Sequence, residues 1–177
     1  MDDATSDSAP RHSALERLVA VDNARGQAEA IRTALTDFAD GAESYSDDAV
    51  TAVGGAAVTA EALFDIGDVN VAAARLNEIL SATASAPRLS NHGGVRWHLH
   101  VDQQPFDWAT WFLSASALSM AVTLSDHSRI TWGRCARPGC GLVFSGLGRG
   151  SAQTYCSNRC GSRVRMARRR AAAANSN

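Results

Sequence analysis

The residues best equipped for chemistry are four cysteines near the C-terminus, Cys135 and Cys140, then Cys156 and Cys160, and the chain has no others. Their spacing is C-x4-C, fifteen residues, then C-x3-C. Four thiolates at the corners of a tetrahedron are what a zinc ion takes in a closed structural site. Two ligands close in sequence reach one ion at little loop-closure cost. Two disulfides are the alternative. The N-terminus, MDDATSDSAP, has neither a basic n-region nor an apolar h-region. A reducing cytoplasm is therefore expected, and zinc is favoured over disulfides. Neither pair is C-x-x-C, which argues against a redox site. Four committed thiolates leave no open coordination position, so one structural zinc per chain is expected, without zinc catalysis.

Short elements must hold these ligands. Pro138-Gly139 before Cys140 is a turn signal, so the first pair reads as a knuckle. Leu142-Val143-Phe144 reads as a strand, Gly146, Gly148 and Gly150 as a loop, and Gln153-Thr154-Tyr155 as a returning strand. Ser157 can cap a helix, with Cys156 and Cys160 at its first turn, where unpaired N–H groups and the helix dipole favour thiolate. Knuckle, hairpin and helix make a treble-clef-like module. At about 100° per residue, Cys156, Cys160, Val164, Ala167 and Ala171 share one stripe of this helix. Arg159, Arg163 and Arg170 lie along one flank, and Arg165, Arg168 and Arg169 spread over the rest.

Charge divides the chain. The net charge is −1, yet residues 1–126 hold seven Arg and all eighteen acids, a balance of −11. Residues 127–177 hold ten Arg and no acid, a balance of +10. A segment of one sign attracts polyanions, and Arg offers phosphate a planar, bidentate fork. The candidate nucleic-acid contacts are Arg159, Arg163, Arg165, Arg168, Arg169 and Arg170, with Arg137 from the knuckle and Arg149 from the loop. DNA is the expected partner. RNA, an acidic protein, or the acidic half of this or a second copy as a homodimer are the alternatives, and a solvated basic tail is the plainest one. A nucleoid-associated place in the cytoplasm follows if DNA is bound.

The rest reads as mainly α: a helical N-terminal domain with a short β-hairpin. Residues 1–11 are expected to be disordered, 12–126 to form the helical domain, 130–171 the zinc finger and 172–177 a flexible tail. Apolar spacing predicts helix from His12 to about Asp40, with Gly41 as a stop. Ser46-Asp47-Asp48 caps a short helix that Gly54-Gly55 would end, and Ala56 to Phe64 reads as another. Asp68 caps the next, with Val69, Ala72, Leu76, Ile79 and Leu80 inward. Pro87 and Asn91-His92-Gly93-Gly94 mark turns. VRWHLHV at 95–101 alternates as a strand, with Trp97 and Leu99 toward the core and Arg96, His98 and His100 outward. His98 and His100 are read as a wet face in preference to a metal pair. The four Trp (97, 108, 111 and 132) are read as core in preference to a ligand pocket. Trp108 to Ser125 carries no charge in eighteen residues but six Ser or Thr, which suits a buried helix from about Pro105 to Ser125 better than a membrane span. Trp108, Trp111, Phe112, Ala115, Leu118 and Val122 are its expected buried stripe. No catalytic triad, carboxylate pair or phosphate loop is visible, so a non-enzymatic role is expected.

WGRCARPGCGLVF, TYCSNRCGSRVRMARRR and WHLH upstream resemble the bacterial CGNR zinc-finger family. Its members carry an N-terminal helical domain called ABATE and are described as stress-induced transcription regulators. The resemblance is specific over about residues 130–170 and looser over 68–126; residues 1–67 share only length and helical character. It implies DNA binding and zinc on Cys135, Cys140, Cys156 and Cys160. The family's CGNR becomes Cys160-Gly161-Ser162-Arg163, with Ser162 in place of Asn. The Arg-rich, Asp-containing loop that usually follows the Phe becomes SGLGRGSAQTY, with one Arg.

Overall fold

A computed structural model describes residues 14–38, 45–91, 97–146 and 153–174. Its order is α1 (Ala14–Asn23), α2 (Ala28–Asp37), α3 (Asp47–Glu61), a 3₁₀ turn (Ala62–Asp65), α4 (Val69–Thr83), β1 (Arg88–Ser90), β2 (His98–His100), α5 (Trp108–His127), β3 (Trp132–Arg134), β4 (Val143–Ser145) and α6 (Asn158–Ala174). The fold is mainly α with two small antiparallel hairpins, β1–β2 and β3–β4, and a C-terminal cysteine cluster. Among the described residues, no helix is long and apolar enough to cross a membrane. The expectations at residues 1–11, Gly41, His92 to Arg96, Gly148, Arg149 and Gly150 lie outside the described residues.

The uncharged segment is the central helix. α5 packs against α1, α3 and α4, and that explains its lack of charge. Its expected stripe is only partly right. Phe112 is fully buried, but so are Ser114, Ser116, Ala117 and Met120, while Val122 is exposed. With neighbours on several sides, the buried surface is no longer a single helical stripe. Three of its hydroxyls bond within the fold: Ser114 Oγ donates to the Trp111 carbonyl, Thr123 Oγ1 to the Ser119 carbonyl, and Ser119 Oγ accepts the Leu15 N–H at the start of α1. Asp107 caps α5 by accepting the Thr110 N–H at 2.7 Å, and left-handed Ser128 ends it.

Other caps also follow their sequence signals. Ser46 Oγ accepts the Ala49 N–H, and Asp68 accepts from Asn70 and Val71. Helix interruptions do not follow theirs. The helix expected over 12–40 breaks at Arg25 and Gly26, both with positive φ (52° and 75°). Conversely, Gly54-Gly55 ends nothing, and α3 runs through it to Glu61, absorbing most of the separate helix expected over 56–64. A Cβ on Gly54 would lie 3.1 Å from Ile31 Cδ1, so the glycine is where α2 and α3 approach closely. On α4, Ala72, Leu76 and Ile79 are buried as expected, whereas Val69 is exposed.

The upstream hairpin presents the opposite face from the one expected. Trp97 and Leu99 are 68% and 50% exposed, and Leu89, which pairs with Leu99, is exposed too. The face turned inward carries His98 and His100, because buried Asp102 binds His100 and Arg88. Trp132 is the Trp most deeply in the core, Trp108 and Trp111 pack at its margin, and Trp97 is outside it.

β3 and β4 pair antiparallel, Trp132 with Ser145 and Arg134 with Val143. This corrects the expected hairpin. Val143 and Phe144 are in a strand, but its partner, β3, precedes the knuckle. Gln153 to Tyr155 is not a strand; Thr154 instead lends its carbonyl to the Ala136 N–H. The module is fixed to the helices. Trp132 and Val143 belong to the main hydrophobic core. The Trp132 indole N–H donates to the Leu63 carbonyl, and the Asn23 amide bonds both the N–H and the C=O of Val143 (2.9 and 3.0 Å). Arg134 forks onto Asp65 and also reaches Glu61.

Two expectations follow. Asn23→Ala strips both partners from Val143 and should cost about 2 kcal/mol in a denaturant titration. Asp22 lies in the same acidic group. Burial, and then the charge of Glu61, push its carboxyl up from 3.8 to about 6. The folded protein thus holds a proton that the unfolded chain has released, so this group's stabilisation is full below about pH 4 and falls as pH rises through 6. Asp22→Asn should raise the urea midpoint at pH 7 and leave it almost unchanged at pH 4; a lower midpoint at pH 7 would contradict the assignment.

Candidate metal centre

The knuckle is shaped by its own backbone. Gly139 and Gly141 take positive φ (72° and 67°), a conformation most side chains disfavour. The Cys140 N–H bonds the Arg137 carbonyl and the Cys135 N–H bonds the Leu142 carbonyl, turning both sulfurs to one side. A Cβ on Gly141 would come within 2.8 Å of the Arg25 guanidinium, which donates to the Cys140 carbonyl. The left-handed break between α1 and α2 therefore brings a cation against the knuckle. On the other side, Ser157 caps α6: its Oγ accepts the Cys160 N–H and its carbonyl accepts the Gly161 N–H.

These elements bring all four sulfurs together, each within 4.8 Å of the others. Cys140 lies 3.7 Å from Cys156 and 3.8 Å from Cys160, and Cys156 lies 3.6 Å from Cys160. Four thiolates bonded at ~2.3 Å to one ion stand ~3.8 Å apart at the tetrahedral angle. A disulfide would need ~2.05 Å, and all four cysteines are free. Three are buried and Cys156 is partly exposed. The donor set is what zinc takes, and the cysteines form a zinc site.

The surroundings treat the sulfurs unequally. The Ser157 hydroxyl, and then the Arg137 guanidinium, hold Cys160 below the usual thiol range. Burial pushes Cys156 up, with thiol neighbours adding to it. Four bare thiolates at these distances repel one another, and a divalent cation at their centre lets all four ionise.

The arginines separate into groups that the sequence did not distinguish. Arg137 stands at the metal centre, its Nε donating to Cys160 Sγ at 3.2 Å. Arg159, Arg163, Arg165, Arg168, Arg169 and Arg170 are all exposed on α6, and Arg165 bonds Ser162 Oγ at 2.8 Å. Among the described residues, none of these six has a carboxylate partner. Arg149 lies outside the described residues. The stripe expected to join metal and core is short: Cys160 and Gly161 are buried, Val164 is partly so, and Ala167 and Ala171 are exposed. Only the start of α6 is anchored, and the helix continues to Ala174, past the boundary expected at 171. Arg25, Asn23 and Arg134 were missed, because their roles depend on partners far away in sequence.

Residues 132–173 match the CGNR zinc finger family. No curated protein matches the chain.

Elemental analysis should give one zinc per chain. Cys156→Ser should lose the metal and unfold the C-terminal module, visible as lost amide dispersion over residues 132–174, because ligation supplies much of a small zinc module's folding energy. Arg137→Ala should weaken zinc affinity by roughly tenfold in a chelator competition while leaving the fold intact, as loss of an outer-shell partner does elsewhere.

Proposed function

We propose that this protein is a DNA-binding transcription regulator in which the thiolate cluster holds an arginine helix against the phosphate backbone. The observation that carries this reading is α6: seventeen residues, about 25 Å long, with six exposed arginines and no acid. A helix of that size fits the major groove. The fixed first turn sets its direction, while the exposed remainder is open to a partner on most of its surface. Phosphate contact accounts for affinity; reading of base edges would fall to the residues that α6 turns into the groove. The cysteine centre has an orienting task and no chemistry of its own in this reading. The helical domain, joined to the module through Trp132, Asn23 and Arg134, would sense a signal or partner and pass it on by shifting that contact.

A second reading is favoured by the charge division. Residues 1–126 carry −11, and Arg134 already binds two acids of the helical domain. The α6 arginines could dock in the same way on an acidic protein or on a second copy.

The expected outcome with duplex DNA is binding that weakens steeply with salt. Replacing Arg163, Arg165, Arg168 and Arg169 with Ala should abolish it at moderate salt, and the slope of log K against log salt should fall by about 0.9 for each phosphate no longer neutralised. Unchanged affinity in that variant would overturn the proposal. A salt-sensitive dimer with no affinity for DNA or RNA would establish the second reading instead, and competition between the two nucleic acids would separate them.

A further inference from the structure

The hairpin β1–β2 carries a cluster that the zinc finger does not use. Its register pairs Arg88 with His100 and Ser90 with His98, so these four residues share one face. Asp102, just beyond β2, is buried, and both carboxylate oxygens are engaged. Oδ2 accepts from Arg88 at 2.7 Å, and Oδ1 lies 2.8 Å from His100 Nδ1. Burial works against this charge, but the bonds from Arg88 and His100 outweigh it and hold the carboxyl below its usual range. Arg88 is neutralised in turn, so the pair does not repel an incoming cation.

Asp102 also decides which way the His100 ring points. A carboxylate accepts only from a protonated Nδ1, which leaves Nε2 of the neutral ring as the lone-pair nitrogen. That Nε2 lies 2.9 Å from His98 Nε2. The two rings are tilted at 45° with centroids 4.7 Å apart, so the nitrogens converge. Two imidazole nitrogens bonded at ~2.0–2.1 Å to one ion lie ~2.9 Å apart at a right angle and ~3.4 Å apart at the tetrahedral angle. The observed spacing suits adjacent positions of a square-planar or octahedral ion. A carboxylate on the far ring nitrogen is the usual outer partner of a metal-bound histidine.

The support beneath is rigid. Ser85 Oγ bonds the carbonyls of Val101 and Asp102, its N–H bonds the Val101 carbonyl at 2.7 Å, and Gln103 reaches the Ala84 carbonyl. The residues just after α4 thus clamp the segment that follows the two histidines.

We infer that His98 and His100 bind a divalent transition-metal ion through their Nε2 atoms, with Asp102 as the positioning residue. No covalent step is involved. The hydrogen between the two Nε2 atoms gives way to the ion, His98 taking its Nδ1–H tautomer, so no proton is lost overall. Among the described residues these are its two protein ligands, and further positions go to water or to an exchangeable ligand. Imidazole donors at this spacing select Cu2+ or Ni2+ over Mg2+ and Ca2+. The inference stands apart from the DNA reading, since neither depends on the other.

The test uses the full chain with its cysteine site loaded with zinc, and Ni2+ as the probe. Calorimetric titration should show one Ni2+ per chain in addition to the zinc, with zinc content unchanged afterwards. His98→Ala and His100→Ala should each weaken Ni2+ binding at least tenfold, and Asp102→Asn about tenfold or more. His127→Ala, on α5, should leave it unchanged. Variant folding is checked by near-ultraviolet circular dichroism. For a readout that needs no variant, Ni2+ added to the parent protein should broaden the imidazole resonances of His98 and His100 before that of His127. Ni2+ binding that survives in the His98→Ala and His100→Ala variants, displacement of zinc as the sole event, or broadening centred on another histidine would each overturn the inference.

Discussion

Four sulfurs within 4.8 Å of one another cannot all carry charge unless a cation lies among them, and the C-terminal third of the chain is organised around that constraint. To satisfy it, a knuckle closes through two left-handed glycines, a strand pairs across it, and α6 begins where its capping serine can present Cys160. Cys156 lies just before the cap and Cys160 just inside the helix. The direction in which α6 leaves the module is therefore set by ligation and not by a hydrophobic seam.

That explains an unusual feature of α6. Most surface helices are held along an apolar stripe, but this one is held at one end. Ala167 and Ala171 would complete such a stripe, yet they are exposed with the arginines around them. The helix lacks any acid to form i,i+4 pairs, and its positive charges repel one another. A polyanion lying along it would relieve that repulsion.

The module is also built into the helical part. Trp132 and Val143 share the main core, Asn23 completes the edge of β4, and Arg25 reaches the knuckle carbonyl. Asn23 and Arg25 lie at the end of α1 and the turn after it, and Trp132 reaches Leu63 in the 3₁₀ turn. Asp22, Glu61, Asp65 and Arg134 form a charged border to the same contact, where burial first and then the charge of Glu61 leave Asp22 raised. Ligation and helix packing are in this way mechanically joined.

The ligands, the caps and the charge could be read from the amino-acid sequence alone. Cysteine pairs, Ser46, Asp68 and Ser157 act through neighbours a few residues away, and such short-range chemistry is readable along a chain. The lack of acid beyond residue 126 is likewise a property of composition. Whatever depends on distant partners was settled by packing. Gly54 ends no helix because α2 packs against it, and Trp97 and Leu99 face outward because Asp102 draws the histidine face in. β4 pairs with the strand before the knuckle, not the one expected after it, since Asn23 and the core hold it there. Arg137 and the α6 arginines look alike in sequence. Only the fold sets one against a thiolate and leaves the others in water, because burial and proximity are properties of the packed chain.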